Sequence, residues 1–218
     1  HDPSVLDGSG WWAVVGTFEG RWTLARFASV RSSPPPRAHR PWHGLAPGAW
    51  ASSMSHDDYR DGVAEVRSLI AAGEVYQVNL CRVLSASTAT QQSLDGLADL
   101  LRRNNPAPHA ARVHVPEAGV DVVSASPERY LRRDGPHIRS SPIKGTGATA
   151  GDLTAKDVAE NVMIVDLVRN DLGRVCRTGS VTVDDALAVE QHPGLVHLVS
   201  TVRGRLRDGY GWTGLLNA

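Results

Sequence analysis

The sequence has little cysteine: Cys81 and Cys176 lie far apart, without the close spacing of metal ligands. That excludes a zinc ribbon or a dense disulfide framework and favours reduced thiols, with one disulfide as the other option. An excess of charge is lacking too, since 23 basic residues balance 23 acidic ones. Nothing therefore favours nucleic acid or an anionic membrane as partner, and a small molecule or a protein is the better default. No apolar run approaches the roughly 18 residues of a membrane-spanning helix. The amino end has no basic-then-apolar leader, which favours the cytoplasm. There is no internal repeat, P-loop, dinucleotide fingerprint or serine nucleophile elbow. Lysine is scarce as well: of the 23 basic residues only Lys144 and Lys156 are lysine.

What remains suits one large domain or two small ones, with 218 residues and 41% hydrophobic content. The organisation expected is an amino-terminal strand region and proline-rich loop over 1–50, followed by a catalytic portion over 51–218. Residues 11–18 and 21–27 read as strands joined at Glu19-Gly20. Five of the six tryptophans fall before residue 51. On strands such residues pack more often than they line a site. Residues 31–50, with Pro34, Pro35, Pro36, Pro41 and Pro47, read as a loop.

Ser55 caps a helix with Val63, Val66, Leu69 and Ile70 at helical spacing, closed by Gly73. Residues 74–84 alternate like a strand, placing Gln77 and Asn79 on one face, either toward water or into a cleft. Ser93 opens a short helix that stops at Asn104-Asn105-Pro106. Strands follow over 111–115, 120–125 and 128–133, with a turn at Asp134-Gly135. Thr154 begins the strongest helix, striped by Val158, Val162, Val165 and Val168 and running to Asn170, with Gly173 just beyond. A last strand covers 195–206, with His197 and Thr201 on one face. Runs of strands broken by isolated helices predict an α+β fold.

Between strand-like and helical segments stands Ser141-Pro142-Ile143-Lys144-Gly145-Thr146-Gly147. In a chain that otherwise uses arginine, Lys144 is conspicuous, because a desolvated amine can lose its proton and act as nucleophile or base. The plainer reading is a polar turn. Asp157 and Glu160 are neighbours near a helix start, where they favour the macrodipole or hold a hard divalent cation. A lone His197 on a strand is more often a structural hydrogen bonder.

Four blocks taken in order carry a resemblance: GEVYQVNL (73–80), SPERY (126–130), PIKGT (142–146), and AENVMIVDLVRNDLGRVC (159–176) continuing to HLVSTVRG (197–204). They resemble the chorismate-utilising enzymes, and within them the aminodeoxychorismate synthases, component I, over nearly all of residues 8–208. The resemblance implies antiparallel sheets packed with helices, truncated at the carboxyl end. Anthranilate synthases are similar but carry Ala where Lys144 stands. The roles implied are Lys144 as nucleophile toward the chorismate ring, Glu128 as a buried acid for the departing hydroxyl, and His197 near the ring. Gly145 and Thr146 would contact a substrate carboxylate, Glu160 would bind Mg2+, and Asp157 would orient that site from behind. A glutamine amidotransferase subunit would supply ammonia. Members of the family continue past this point into a PGSxxGAPK-like block and a second metal-binding glutamate, so a piece of a longer protein is expected, and its apolar faces are expected to lack cover. Isochorismate or salicylate synthesis, with Lys144 activating water, and an inactive fragment that only binds a partner are the other readings.

Overall fold

The computed structural model describes residues 2–34, 38–46, 48–88 and 93–218; Pro35, Pro36 and Pro47 of the proline-rich stretch lie outside them. Contacts divide the chain into two compact units, one of residues 1–39 with 94–218 and one of residues 40–93. This division falls elsewhere than the boundary at residue 50 read from the prolines.

At the start of the larger unit, β1 (Trp11–Gly16) and β2 (Trp22–Phe27) form an antiparallel hairpin in register from Trp11↔Phe27 to Gly16↔Trp22. The smaller unit holds β3 (Ala51–Ser52), α1 (His56–Ala71) and β4 (Leu84–Ser85). Helix α1 starts in a capping box: the Ser55 hydroxyl accepts from the Asp58 N–H at 3.1 Å and the Asp58 carboxylate accepts from the Ser55 N–H at 3.0 Å. The strand expected over 74–84 does not form, and only its last residue pairs, Leu84 with Ser52. Alternation creates two faces, but a ladder needs a second strand to bond to.

The larger unit resumes with α2 (Leu94–Asn104), which packs on the hairpin of β5 (His109–Val115) and β6 (Val120–Ser126). Next come β7 (Arg129–Asp134) and β8 (His137–Ser141), turned through Gly135 at φ 57°, then β9 (Ile143–Gly147) and α3 (Ala155–Val175). Strands β10 (Thr182–Val183), β11 (Ala188–His192), β12 (Leu195–Val199) and β13 (Val202–Arg205) precede α4 (Trp212–Leu216). They make two antiparallel sheets, in the orders β10-β13-β8-β7 and β11-β12-β9. The segment Lys144 occupies is thus a strand rather than a loop.

The strand expected over 195–206 is two strands in different sheets. At the break the Ser200 N–H donates to the Pro142 carbonyl at 3.2 Å, and the Ser200 hydroxyl donates to Asn161 Oδ1 at 2.5 Å. Helix α3 runs past Gly173 and buries Asn161, Val165, Leu172 and Val175, whereas Val158 and Val162 are exposed. Its apolar stripe is therefore rotated from the one that the valines alone predict. The core joins Val165, Leu172 and Val175 to Ile138, Val202, Cys176, Leu206 and Leu215.

Candidate active site

The start of α3 fixes the underside of β9. The Thr154 hydroxyl accepts from the Asp157 N–H at 3.3 Å, and the Asp157 carboxylate accepts from the Thr154 N–H and hydroxyl at 2.8 and 2.7 Å. The Thr154 hydroxyl and N–H hold the Asp157 carboxyl below its ordinary range. Asp157 is therefore engaged in capping. It also sets how closely β9 can approach: a Cβ on Gly145 would lie 2.8 Å from Asp157 Cβ and 3.3 Å from Leu198 Cβ.

Strand β9 carries a bulge at the residues of interest. Thr146 pairs with His197 and Ile143 with Val199, so Lys144 and Gly145 together oppose the single residue Leu198. Gly145 takes φ 96°, a conformation that L side chains rarely adopt. The extra residue places Lys144, half-buried, between two anchored positions. On one side the Ile143 N–H donates to Glu128 Oε1 at 2.7 Å; on the other the Thr146 hydroxyl lies 2.9 Å from His197 Nδ1. Among the described residues Lys144 has no carboxylate partner to hold its amine.

His197 is 8% exposed, and the His192 ring meets it edge-on at 4.9 Å. Burial first, and then the neighbouring His192, push its pKa below the ordinary 6.5 against the pull of Glu190 and Glu128. A neutral imidazole is the result, and the Thr146 hydroxyl can donate to its Nδ1 or accept from it. Glu128 differs from expectation. The carboxyl read as buried is exposed, and among the described residues only the Ile143 N–H is bonded to it.

Glu160 lies one helical turn beyond Asp157, half-buried, with Oε1 3.2 Å from the exposed Lys156 ammonium. Its oxygens and partial exposure suit a hard cation that takes most of its ligands from water and substrate. No group of three His, Cys, Asp or Glu that could hold a metal occurs among the described residues, so Glu160 is a single carboxylate arm. Gln77 and Asn79 belong to the smaller unit, on a segment without strand pairing.

On the His197 side of β11, β12 and β9 lies a cleft of about 160 Å³ lined by His109, Arg129, Ser141, Ile143, Glu190 and Val199, among others. Small-molecule sites usually measure about 300 Å³ or more, so this space is large enough for only part of such a ligand. Arg129 and Glu190 were not singled out in the sequence; Arg129 gave only the signal of following Glu128. Asn161 was missed as well. Its amide donates to the Leu198 carbonyl at 3.0 Å, and its carbonyl receives the Ser200 hydroxyl, which locks β12 to α3 behind His197. Its signal was a polar residue at the helical spacing of Val158 and Val165.

Residues 19–218 match a family model described as chorismate binding enzyme. The chain is 42% identical over 170 residues to anthranilate synthase component 1 1 of Haloarcula marismortui, covering 72% of this chain and 34% of that protein. It is 38% identical over 182 residues to aminodeoxychorismate synthase component 1 of Salmonella typhimurium, covering 78% and 39%. The crystal structure of anthranilate synthase component I from Streptococcus pneumoniae superposes with a TM-score of 0.66 at 28% identity, over 79% of this chain and 39% of that one. The chain thus spans well under half the length of these relatives.

Proposed function

Since this chain belongs to the chorismate binding enzyme family, we propose that it supplies one wall of the active site of an aminodeoxychorismate synthase, aminating chorismate to 4-amino-4-deoxychorismate. The observation that carries this reading is Lys144 in the β9 bulge, between the Glu128-bonded Ile143 N–H and the Thr146–His197 pair. Identity alone does not choose between branches, since relatives named for anthranilate and for aminodeoxychorismate synthesis stand at 42% and 38%. Lys144 supports the aminating branch, because an amine can be a covalent nucleophile where the alanine of anthranilate synthases cannot.

In the proposed reaction the Lys144 nitrogen forms a C–N bond to the ring with its lone pair while the ring hydroxyl leaves as water, taking a proton from Glu128. Ammonia then forms the second C–N bond as Lys144 departs with its electron pair, and the proton shed by the new ammonium group returns to Glu128. The neutral His197, held by Thr146, stands beside the ring as a fixed hydrogen-bonding group. Glu160 would hold magnesium, which supplies positive charge against the substrate's ring carboxylate. The Gly145 and Thr146 backbone and hydroxyl offer contacts to a carboxylate, and a glutamine amidotransferase subunit provides ammonia.

The test extends the chain to its natural carboxyl end and incubates it with chorismate, magnesium and ammonium, resolving products by mass. Aminodeoxychorismate is expected, with amination lost in Lys144→Ala while the far-ultraviolet spectrum is unchanged. Anthranilate or isochorismate as the product, or undiminished turnover in Lys144→Ala, would overturn the reading.

A further inference from the structure

The sheet β10-β13-β8-β7 carries an uneven charge distribution that the proposed reaction leaves unused. Strand pairing sets Arg203 opposite Arg139 and Arg139 opposite Arg132, three arginines on one rung. The adjoining rung on the same face holds Arg205, His137 and Asp134. Like charges directly opposite each other on neighbouring strands repel, with Cβ atoms only about 5 Å apart. Acidic residues relieve this only at the margins. Asp184 lies 2.8 Å from Arg203 Nε and Asp134 3.8 Å from Arg132, whereas the central Arg139 has no carboxylate partner among the described residues.

The same residues border a half-open cleft. A cavity of about 360 Å³ is lined by Arg132, Asp134, His137, Arg139 and Arg203, with Ile138 and Gly204 at its base. It is roughly twice the size of the cleft beside Ile143 and falls in the usual range for small ligands. Guanidinium forks match the planar oxygen pairs of carboxylates and phosphates. We propose that this cleft binds a small molecule carrying at least two anionic groups, phosphate or carboxylate, held between the Arg139 fork and the flanking Arg132 and Arg203. The site lies on a different sheet from Lys144 and does not depend on which reaction that lysine performs.

Inorganic pyrophosphate and citrate serve as probes, titrated calorimetrically into the chain at 0.15 M salt, where exposed charges are largely screened. Saturable binding of at least one is expected: pyrophosphate alone identifies a phosphate site, citrate alone a carboxylate site, and both a general dianion site. Arg139→Gln should weaken it at least tenfold and Arg139→Lys by less, since charge survives but the fork does not. Arg169→Gln, on the exposed face of α3, should leave it unchanged. A melting-temperature scan without probe provides a second readout. Arg139→Gln should melt no lower than wild type because repulsion is relieved, and pyrophosphate or citrate should raise the midpoints of wild type and Arg169→Gln more than that of Arg139→Gln. No saturable binding, or equal weakening by Arg169→Gln, overturns the proposal.

Discussion

Gly145 shows how tightly one residue position is specified. Its φ of 96° disfavours any side chain, and a Cβ there would stand 2.8 Å from Asp157 Cβ. Gly145→Ala therefore meets backbone strain and a collision that no rotamer change removes. A loss of about 2 kcal/mol or more is expected, read as a shift in the urea midpoint at constant slope. His197 makes a prediction about pH. Its folded pKa lies below 6.5, so the unfolded chain binds the proton more readily. The resulting stability is fully present above about pH 6.5 and is lost as pH falls through the folded value. Denaturant midpoints should therefore drop between pH 7.5 and 5.5, and His197→Asn should flatten that part of the profile. Lys144 and Glu128 stand out in the sequence as candidates, because one is a rare lysine and the other stands in SPERY. The exposure of Glu128 is not legible there, since solvent access depends on what covers a residue rather than on its neighbours in the chain.

Helix α3 and strand β12 are held as one piece by Asn161, which is 1% exposed and bonds both the Leu198 carbonyl and the Ser200 hydroxyl. Asn161→Ala would leave those two groups buried with one partner fewer. Each unsatisfied group costs about 1–3 kcal/mol, so a loss of at least 2 kcal/mol is expected on thermal or chemical unfolding. Faster exchange of the amides in β12 should accompany it. Helices and hairpins were readable from local signals: Ser55 and Thr154 at caps, Asp134-Gly135 at a turn, Glu19-Gly20 between tryptophan-bearing strands. Two strand assignments failed for a common reason. Residues 74–84 alternate, yet among the described residues only Leu84 finds a strand to pair with, and residues 195–206 conceal a break at Ser200, where Asn161, remote in sequence, bonds the chain. Pairing partners and breaks are non-local, and periodicity along one segment carries no record of them.

At the scale of the whole molecule, burial is concentrated around Ile138 and Val202, 1% and 0% exposed, against Val165, Leu172 and Val175. Ile138→Ala should cost about 2–5 kcal/mol, the range for deleting a large aliphatic side chain from a packed core, and differential calorimetry will read it. Elsewhere apolar residues stay open. In the smaller unit Val63, Leu69 and Ile70 on α1 and Tyr76 are exposed, so the periodicity of that helix marks an apolar stripe without revealing a covering surface. The α+β class was legible because layer architecture follows from the order of elements, and that order is written along the chain. The division into two units was not, because it rests on which segments touch.

The bulge in β9 separates two requirements that a regular strand would join. Ile143 and Thr146 hold the register against Val199 and His197, so the sheet takes its alignment from the residues flanking Lys144. Removing one residue between them would let the strand zip up evenly, with the ladder continuous and the fold preserved. The amine would then be gone or turned to the opposite face. If Lys144 is the proposed nucleophile, a gene copy shortened by its codon would yield a protein that keeps its melting transition in a calorimeter and no longer aminates chorismate.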